Sequence, residues 1–188
     1  GGFMKRDMNS LDDDLSYKKR IIGQMLYEDP DIIEIIDNKD LDPTCPDEYL
    51  YESIWPFIRV PDTQDKAKTY ITFKVDDIDR GVRNDAMKRQ HVQFVIFVHK
   101  DKVKTKWGIP RHDLLGILIK DIFNLSNKLG LQMEQVNNTE GVTDTDYVTR
   151  TLHFEIITPN SLKPYKTNPY EVKSIVHNQD KVVQHGSV

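Results

Sequence analysis

The 188 residues carry 26 Lys and Arg against 30 Asp and Glu, a net charge of −4 at pH 7 with a pI near 5.9, which excludes a uniformly basic nucleic-acid binder. Hydrophobic residues at 38% and charged residues at 30% fit one folded domain with some chain outside its core. The single cysteine, Cys45, excludes an intramolecular disulfide or a thiolate zinc cluster made by this chain alone, and no apolar run approaches the ~20 residues that cross a bilayer.

Residues 1–14 lack the apolar centre of a signal peptide, so the chain is expected to act without one. Leu11, Leu15, Ile22, Met25 and Leu26 share one helical face, which predicts a helix over 10–28. Ser10 with Asp13 reads as a capping box, and Asp12, Asp13 and Asp14 suit the positive end of a helix dipole. Asp29-Pro30 then restarts a short helix whose stripe is Ile32, Ile33, Ile35 and Ile36. The segment 38–52 reads as loop, and 54–60 as an edge strand interrupted by Pro56 and closed by Pro61.

From Tyr70 to Val75 the residues alternate, with Ile71, Phe73 and Val75 facing one way and Tyr70, Thr72 and Lys74 the other, the pattern of a half-buried strand. In 91–100, Val92, Phe94, Ile96 and Val98 share one face while Val95 and Phe97 lie on the other. Apolar residues on both faces predict a central strand, or one whose outer face meets another subunit. Lys100, Lys102, Lys104 and Lys106 fall on one side of a segment read as extended and ending at Trp107. Leu114, Leu115, Leu118, Ile119, Ile122 and Leu125 predict a helix over 110–128, with Gly130 as its stop. Two strands, 131–136 and 147–158, flank a polar turn over 137–146, and the second alternates Leu152, Phe154 and Ile156 against Thr151, His153 and Glu155.

The expected fold class is therefore α+β, a mostly antiparallel sheet covered by one long helix, with an N-terminal helix pair and an extended C-terminal arm. The chain divides into an N-terminal arm (1–9), the α+β core (10–158) and an arm (159–188) in which Pro159, Pro164 and Pro169 recur every five residues. That arm is expected to dock on neighbouring chains, with Tyr165 and Tyr170 as contact candidates, the alternative being that it packs on its own domain.

Motifs that carry chemistry are sparse. No two histidines have zinc-motif spacing, and His91 and His99 would lie ~26 Å apart on one strand at ~3.3 Å per residue. A site built in three dimensions from His112, His153 and a carboxylate is the remaining metal alternative. Asp76, Asp77 and Asp79 precede Gly81 without the glutamate a calcium loop needs, since Lys88 stands there. GxxxxGK[ST], GxGxxG and GxSxG do not occur. Pro61-Asp62 and Glu171-Val172-Lys173 echo a Mg²⁺-dependent nuclease but stand more than a hundred residues apart. No enzyme, cofactor or metal is predicted.

Two loops of opposite sign are the better candidates. Lys100, Lys102, Lys104 and Lys106 with Trp107 suit a phosphate backbone, an acidic protein neighbour, or protection of an exposed hairpin. Glu140, Asp144 and Asp146 form the acidic counterpart, and in a head-to-tail ring the basic loop of one subunit would meet the acidic loop of the next. Val95 and Phe97 complete the candidate subunit contacts.

The segments YESIWPFIRVPDTQDKAKTYITFKVDD, HVQFVIFVHK, RHDLLGILIKDIFN and YVTRTLHFEIIT, in this order after an N-terminal helix, span about residues 10–158. Their order resembles the tail terminator and neck proteins of long-tailed bacteriophages. The resemblance implies a non-enzymatic subunit of a hexameric ring that caps the finished tail tube and joins it to the head connector. Its partners would be copies of itself, the tail tube protein and the connector proteins, with no membrane and with DNA only passing through the lumen. Its place would be the virion neck, after synthesis in the host cytoplasm. A head-closure or adaptor protein is the alternative in the same class; a nucleic-acid binder or Mg²⁺-dependent nuclease is the alternative outside it.

Overall fold

The computed structural model describes residues 14–62, 69–78 and 87–159. The expectations for Ser10 and Leu11, for 79–86, and for the arm with Tyr165 and Tyr170 lie outside the described residues. Helices α1 (Asp14–Tyr27) and α2 (Pro30–Ile36) come first, followed by β1 (Ile54–Trp55), β2 (Thr69–Ile78), β3 (Met87–His99), helix α3 (Arg111–Phe123), β4 (Gln132–Val142) and β5 (Tyr147–Pro159). The five strands lie in the order β1-β2-β3-β5-β4. β2, β3, β5 and β4 pair antiparallel, while β1 runs parallel to β2. The class is α+β with a mixed sheet, and β3 is its central strand.

Asp29 caps α2 by accepting the N–H groups of Asp31 and Ile32, both at 3.0 Å, with Pro30 in the first turn. All three described α-helices pack on one face of the sheet. Ile22 and Leu26 of α1, Ile32 and Ile36 of α2, and Leu115, Ile119 and Phe123 of α3 enclose Phe73, Phe94, Leu152 and Phe154 in one cluster. The expected cover of one long helix is therefore corrected: α1 has 14 residues and α3 13. α3 stops short because Asn124 turns extended, Leu125 takes φ 56°, and the Leu125 N–H bonds the Met133 carbonyl at 2.7 Å. No helix among the described residues is long and apolar enough to cross a membrane.

Gly130 is consequently not a helix stop. It lies where the chain crosses β5, and a Cβ there would stand 2.7 Å from both Ile156 Cγ2 and the Ile157 carbonyl oxygen. The expected edge strand over 54–60 shrinks to two residues, because Pro56 has no N–H to continue the ladder. β4 and β5 are longer than expected, and their turn contracts to 143–146. A bulge between Gln135 and Asn137 leaves Val136 without a partner in the register.

On the opposite sheet face, Tyr70, Val95, Phe97 and Tyr147 make a second small cluster, with Trp55 packed against it. Arg59 lies 4.3 Å from the Trp55 ring centroid and 5.8 Å from that of Tyr70. This corrects one expectation. Val95 and Phe97 are only 7% and 3% exposed within a single chain, so they offer no open contact patch.

Candidate interaction surface

The lysine loop does not form the expected stripe. A 3-10 turn over Lys100–Lys102 replaces extended backbone, so the side chains diverge. Lys100 Nζ lies 3.0 Å from the Asp146 carboxylate, and the Lys100 N–H bonds the Asp146 carbonyl at 3.0 Å. Lys102 reaches Asp37 at 3.4 Å, and Lys106 reaches Glu34 at 2.8 Å while its ammonium sits 4.4 Å from the Trp107 ring centroid. Lys104 is exposed, as is Asp144 on the acidic turn. The basic and acidic loops thus touch within one chain at Lys100 and Asp146, while Lys104 and Asp144 make no such contact among the described residues.

Glu140 is engaged elsewhere. His112, 3% exposed, meets the Glu140 carboxylate through Nε2 at 2.9 Å. Its Nδ1 has no hydrogen-bond partner among the described residues. Beside it, Arg150 joins Asp113 to Asn138, with its Nε donating to the Asn138 side-chain oxygen at 2.8 Å. These contacts fasten the start of α3 to the β4–β5 hairpin.

Arg111 fastens the start of α3 to α2. It is 8% exposed, and its guanidinium donates to the carbonyl oxygens of Lys102, at 2.7 Å, and Ile35. It also lies 3.7 Å from Asp37, the residue that ends α2 in the left-handed region at φ 51°. Burial pushes the Asp37 carboxyl up, but Lys39, Lys102 and Arg111 outweigh it and hold the carboxyl below its ordinary value. The cation also complements the negative end of the helix.

One close pair escaped the sequence. His91 on β3 and His153 on β5 face each other, Nε2 to Nδ1 at 2.9 Å, with ring planes only 15° apart and centroids 4.9 Å apart. The N–H of one imidazole meets the lone pair of the other, an arrangement that needs neutral rings or one shared proton. His112 and His153 therefore serve different partners and share no site. Among the described residues, no three His, Cys, Asp or Glu side chains gather as a metal would need.

Burial lowers the pKa of His91, and the neighbouring His153 and Lys74 lower it further against the pull of Asp76 and Glu155; burial followed by Lys74 lowers that of His153. The stabilisation from keeping both rings neutral is complete above about pH 6.5, the ordinary histidine value. It is lost as pH falls through the depressed native values, because the unfolded chain takes up protons first. His153→Gln should flatten the fall of the urea midpoint between pH 7 and pH 5 relative to wild type. Parallel curves would show that the pair titrates as ordinary exposed histidines do.

Several open surfaces remain among the described residues. β4 pairs with β5 on one side; on its outer side Met133 and Gln135 bond the 124–126 segment, and over 137–142 it has no strand partner among the described residues. It carries exposed Val136 and Val142, the latter 78% exposed, with Leu131 just before it. At the other end of the strand order, the chain around β1 exposes Tyr51, Phe57 and Val60. Between α2 and α3 runs a groove of about 270 Å³ walled by Ile35, Ile109, Leu114, Leu118 and Trp107, with Asp31 and Glu34 on its rim. Of the residues expected from sequence to make contacts, the groove contains Trp107 and borders Lys106. Its other walls come from Ile109 and from the apolar stripes of α2 and α3.

A protein-family model, YomW, matches residues 20–178. The chain belongs to the YomW family. YomW is a phage-derived family, so the phage association expected from the element order holds at that coarser level. The YomW match spans α2, α3 and every strand, and continues past Pro159 to residue 178. No curated protein matches the chain.

Proposed function

We propose that this YomW-family protein is a structural, non-enzymatic subunit of a phage head-to-tail joint, of the tail-terminator or neck kind. In this reading copies of the chain form a ring, about six of them, that caps the tail tube and meets the head connector. The observation that carries the proposal is the pair of dissimilar open edges. A closed ring needs head-to-tail contact between two different patches of each subunit. The free side of β4, with Val136 and Val142, and the aromatic side around Tyr51, Phe57 and Val60 lie at opposite ends of the strand order. The 124–126 segment covers the start of the β4 edge, but its stretch over 137–142 is a surface that proteins otherwise shield from pairing. Lys100 and Asp146 already pair within one chain, so in this reading the two edges, rather than the charged loops, make the ring contacts.

Light scattering after size exclusion, with negative-stain images, tests the reading. Wild type is expected to form closed rings or to bind purified tails. The double variant V136K/V142K should remain monomeric, with its thermal midpoint nearly unchanged because both residues are exposed. A wild-type protein that stays monomeric at tens of micromolar and ignores tails would overturn the proposal.

A further inference from the structure

We propose that the groove between α2 and α3 seats the chain's own C-terminal arm, with residues 162–170, Leu-Lys-Pro-Tyr-Lys-Thr-Asn-Pro-Tyr, lying along it. The inference does not rest on the ring assignment, since the contact is made within one chain. Chemistry, reach and the extent of the family match all point to this occupant.

The groove combines an aromatic wall with an acidic rim. Trp107 is 48% exposed and Ile109 39%, both large for open surface, and Asp31 and Glu34 stand beside them. Grooves of this kind take proline-rich segments, which hold the polyproline II form without a large ordering cost. The arm matches in composition. Residues 160–188 contain Lys163, Lys166, Lys173 and Lys181 against Glu171 and Asp180, a balance of +2 in a chain whose total is −4. Pro164 and Pro169 bracket Tyr165 and Lys166. With three residues per turn in polyproline II, Leu162 and Tyr165 project from the same edge and would lie against Leu118 and Trp107. Glu34 is already held by Lys106, whereas the Asp31 carboxylate has no side-chain partner among the described residues, so Asp31 is the acid left for Lys163 or Lys166.

The arm also begins in the right place. β5 ends at Pro159, three residues beyond Ile156, which pairs with Met133; the Met133 carbonyl in turn accepts the Leu125 N–H just after α3. β5 therefore ends on the side of the sheet where α3 ends. From there α3 runs back towards Trp107 over about 20 Å at ~1.5 Å per residue, with the groove along its first half at Leu114 and Leu118. Nine residues of polyproline II cover about 28 Å at ~3.1 Å each. A tether of that length holds its segment at a millimolar effective concentration, so modest contacts suffice. The family match continues to residue 178, which makes the arm part of the family pattern as the groove is.

Photo-crosslinking in the full chain tests this. With Tyr165 replaced by p-benzoylphenylalanine, irradiation and tryptic digestion should place the adduct on peptides 107–111 and 112–120. In an equal mixture of ¹⁴N- and ¹⁵N-labelled copies, each adduct should join peptides of one isotope. Adding Trp107→Glu should lower the yield at least fivefold while the thermal midpoint stays within a few degrees. Adducts scattered over other peptides, adducts of mixed isotope, or a yield indifferent to Trp107→Glu would each overturn the proposal.

Discussion

Phe94→Ala should cost about 3–5 kcal/mol of stability, the range for emptying a fully buried aromatic site. Phe94 is fully buried on the central strand, with its ring centroid 5.9 Å from Phe73, 5.2 Å from Phe123 and 5.7 Å from Phe154. It thus joins β2, α3 and β5 in one contact set, and aromatic pairs of this geometry add to the area they bury. The surrounding side chains are themselves large and come from three separate elements, so they cannot all close on the void without moving backbone. Urea unfolding should show a lower midpoint with an unchanged slope. Phe94→Leu, which keeps most of the volume, should lose less than half as much. A loss under 1 kcal/mol for the alanine variant would mean that the helices settle onto the sheet and refill the site.

Arg111→Met should be the second most damaging change, at about 2–4 kcal/mol. Methionine replaces part of the volume but leaves the carbonyls of Ile35 and Lys102 without their donor and Asp37 without one of its cations. Arg111→Lys should recover only part of the loss, because an ammonium cannot reproduce the planar fork that serves both carbonyls. Burial already lowers the Arg111 pKa while Asp37 raises it, a sign that the desolvated cation depends on its partners. Since this contact ties α2 to the loop that carries Trp107, the arm crosslink described above should weaken in Arg111→Met together with the thermal midpoint. An unaltered midpoint would show that water replaces the guanidinium at no cost.

Local patterns were legible wherever one residue's surroundings depend on its near neighbours. The alternation in β2, β3 and β5, the Asp29-Pro30 start of α2 and the apolar face of α3 all follow from backbone period and cap chemistry. Lys18 illustrates the limit. It lies on the buried face of α1 between Leu15 and Ile22, yet is 3% exposed and donates to the Gln90 side-chain oxygen, which belongs to a strand 72 residues away. Gln90 in turn donates to Asp77 at 2.8 Å. Nothing within a helical turn of Lys18 announces that partner.

The candidate surface divides along the same line. Trp107 and Lys106 stood out in the sequence as an aromatic beside a cation, and both border the groove. The groove's other walls did not, because Ile35, Leu114 and Leu118 look like any apolar helix positions until α2 and α3 are set side by side. The four lysines share a side only if the backbone is extended, and the turn at Lys100–Lys102 sends Lys100, Lys102 and Lys106 to three different acids while Lys104 stays exposed.

Composition, period and proline placement by themselves determined the α+β class, the central place of β3 and the N-terminal helix pair. Only the tertiary structure decided that β1 is two residues long and parallel, that Val95 and Phe97 are covered, that His91 meets His153, and that Lys100, Lys102 and Lys106 find acids within one chain. The physical reason is range. Period and capping act over a few residues of backbone, whereas strand register and ion pairing join groups that the chain brings together only after its loops have closed.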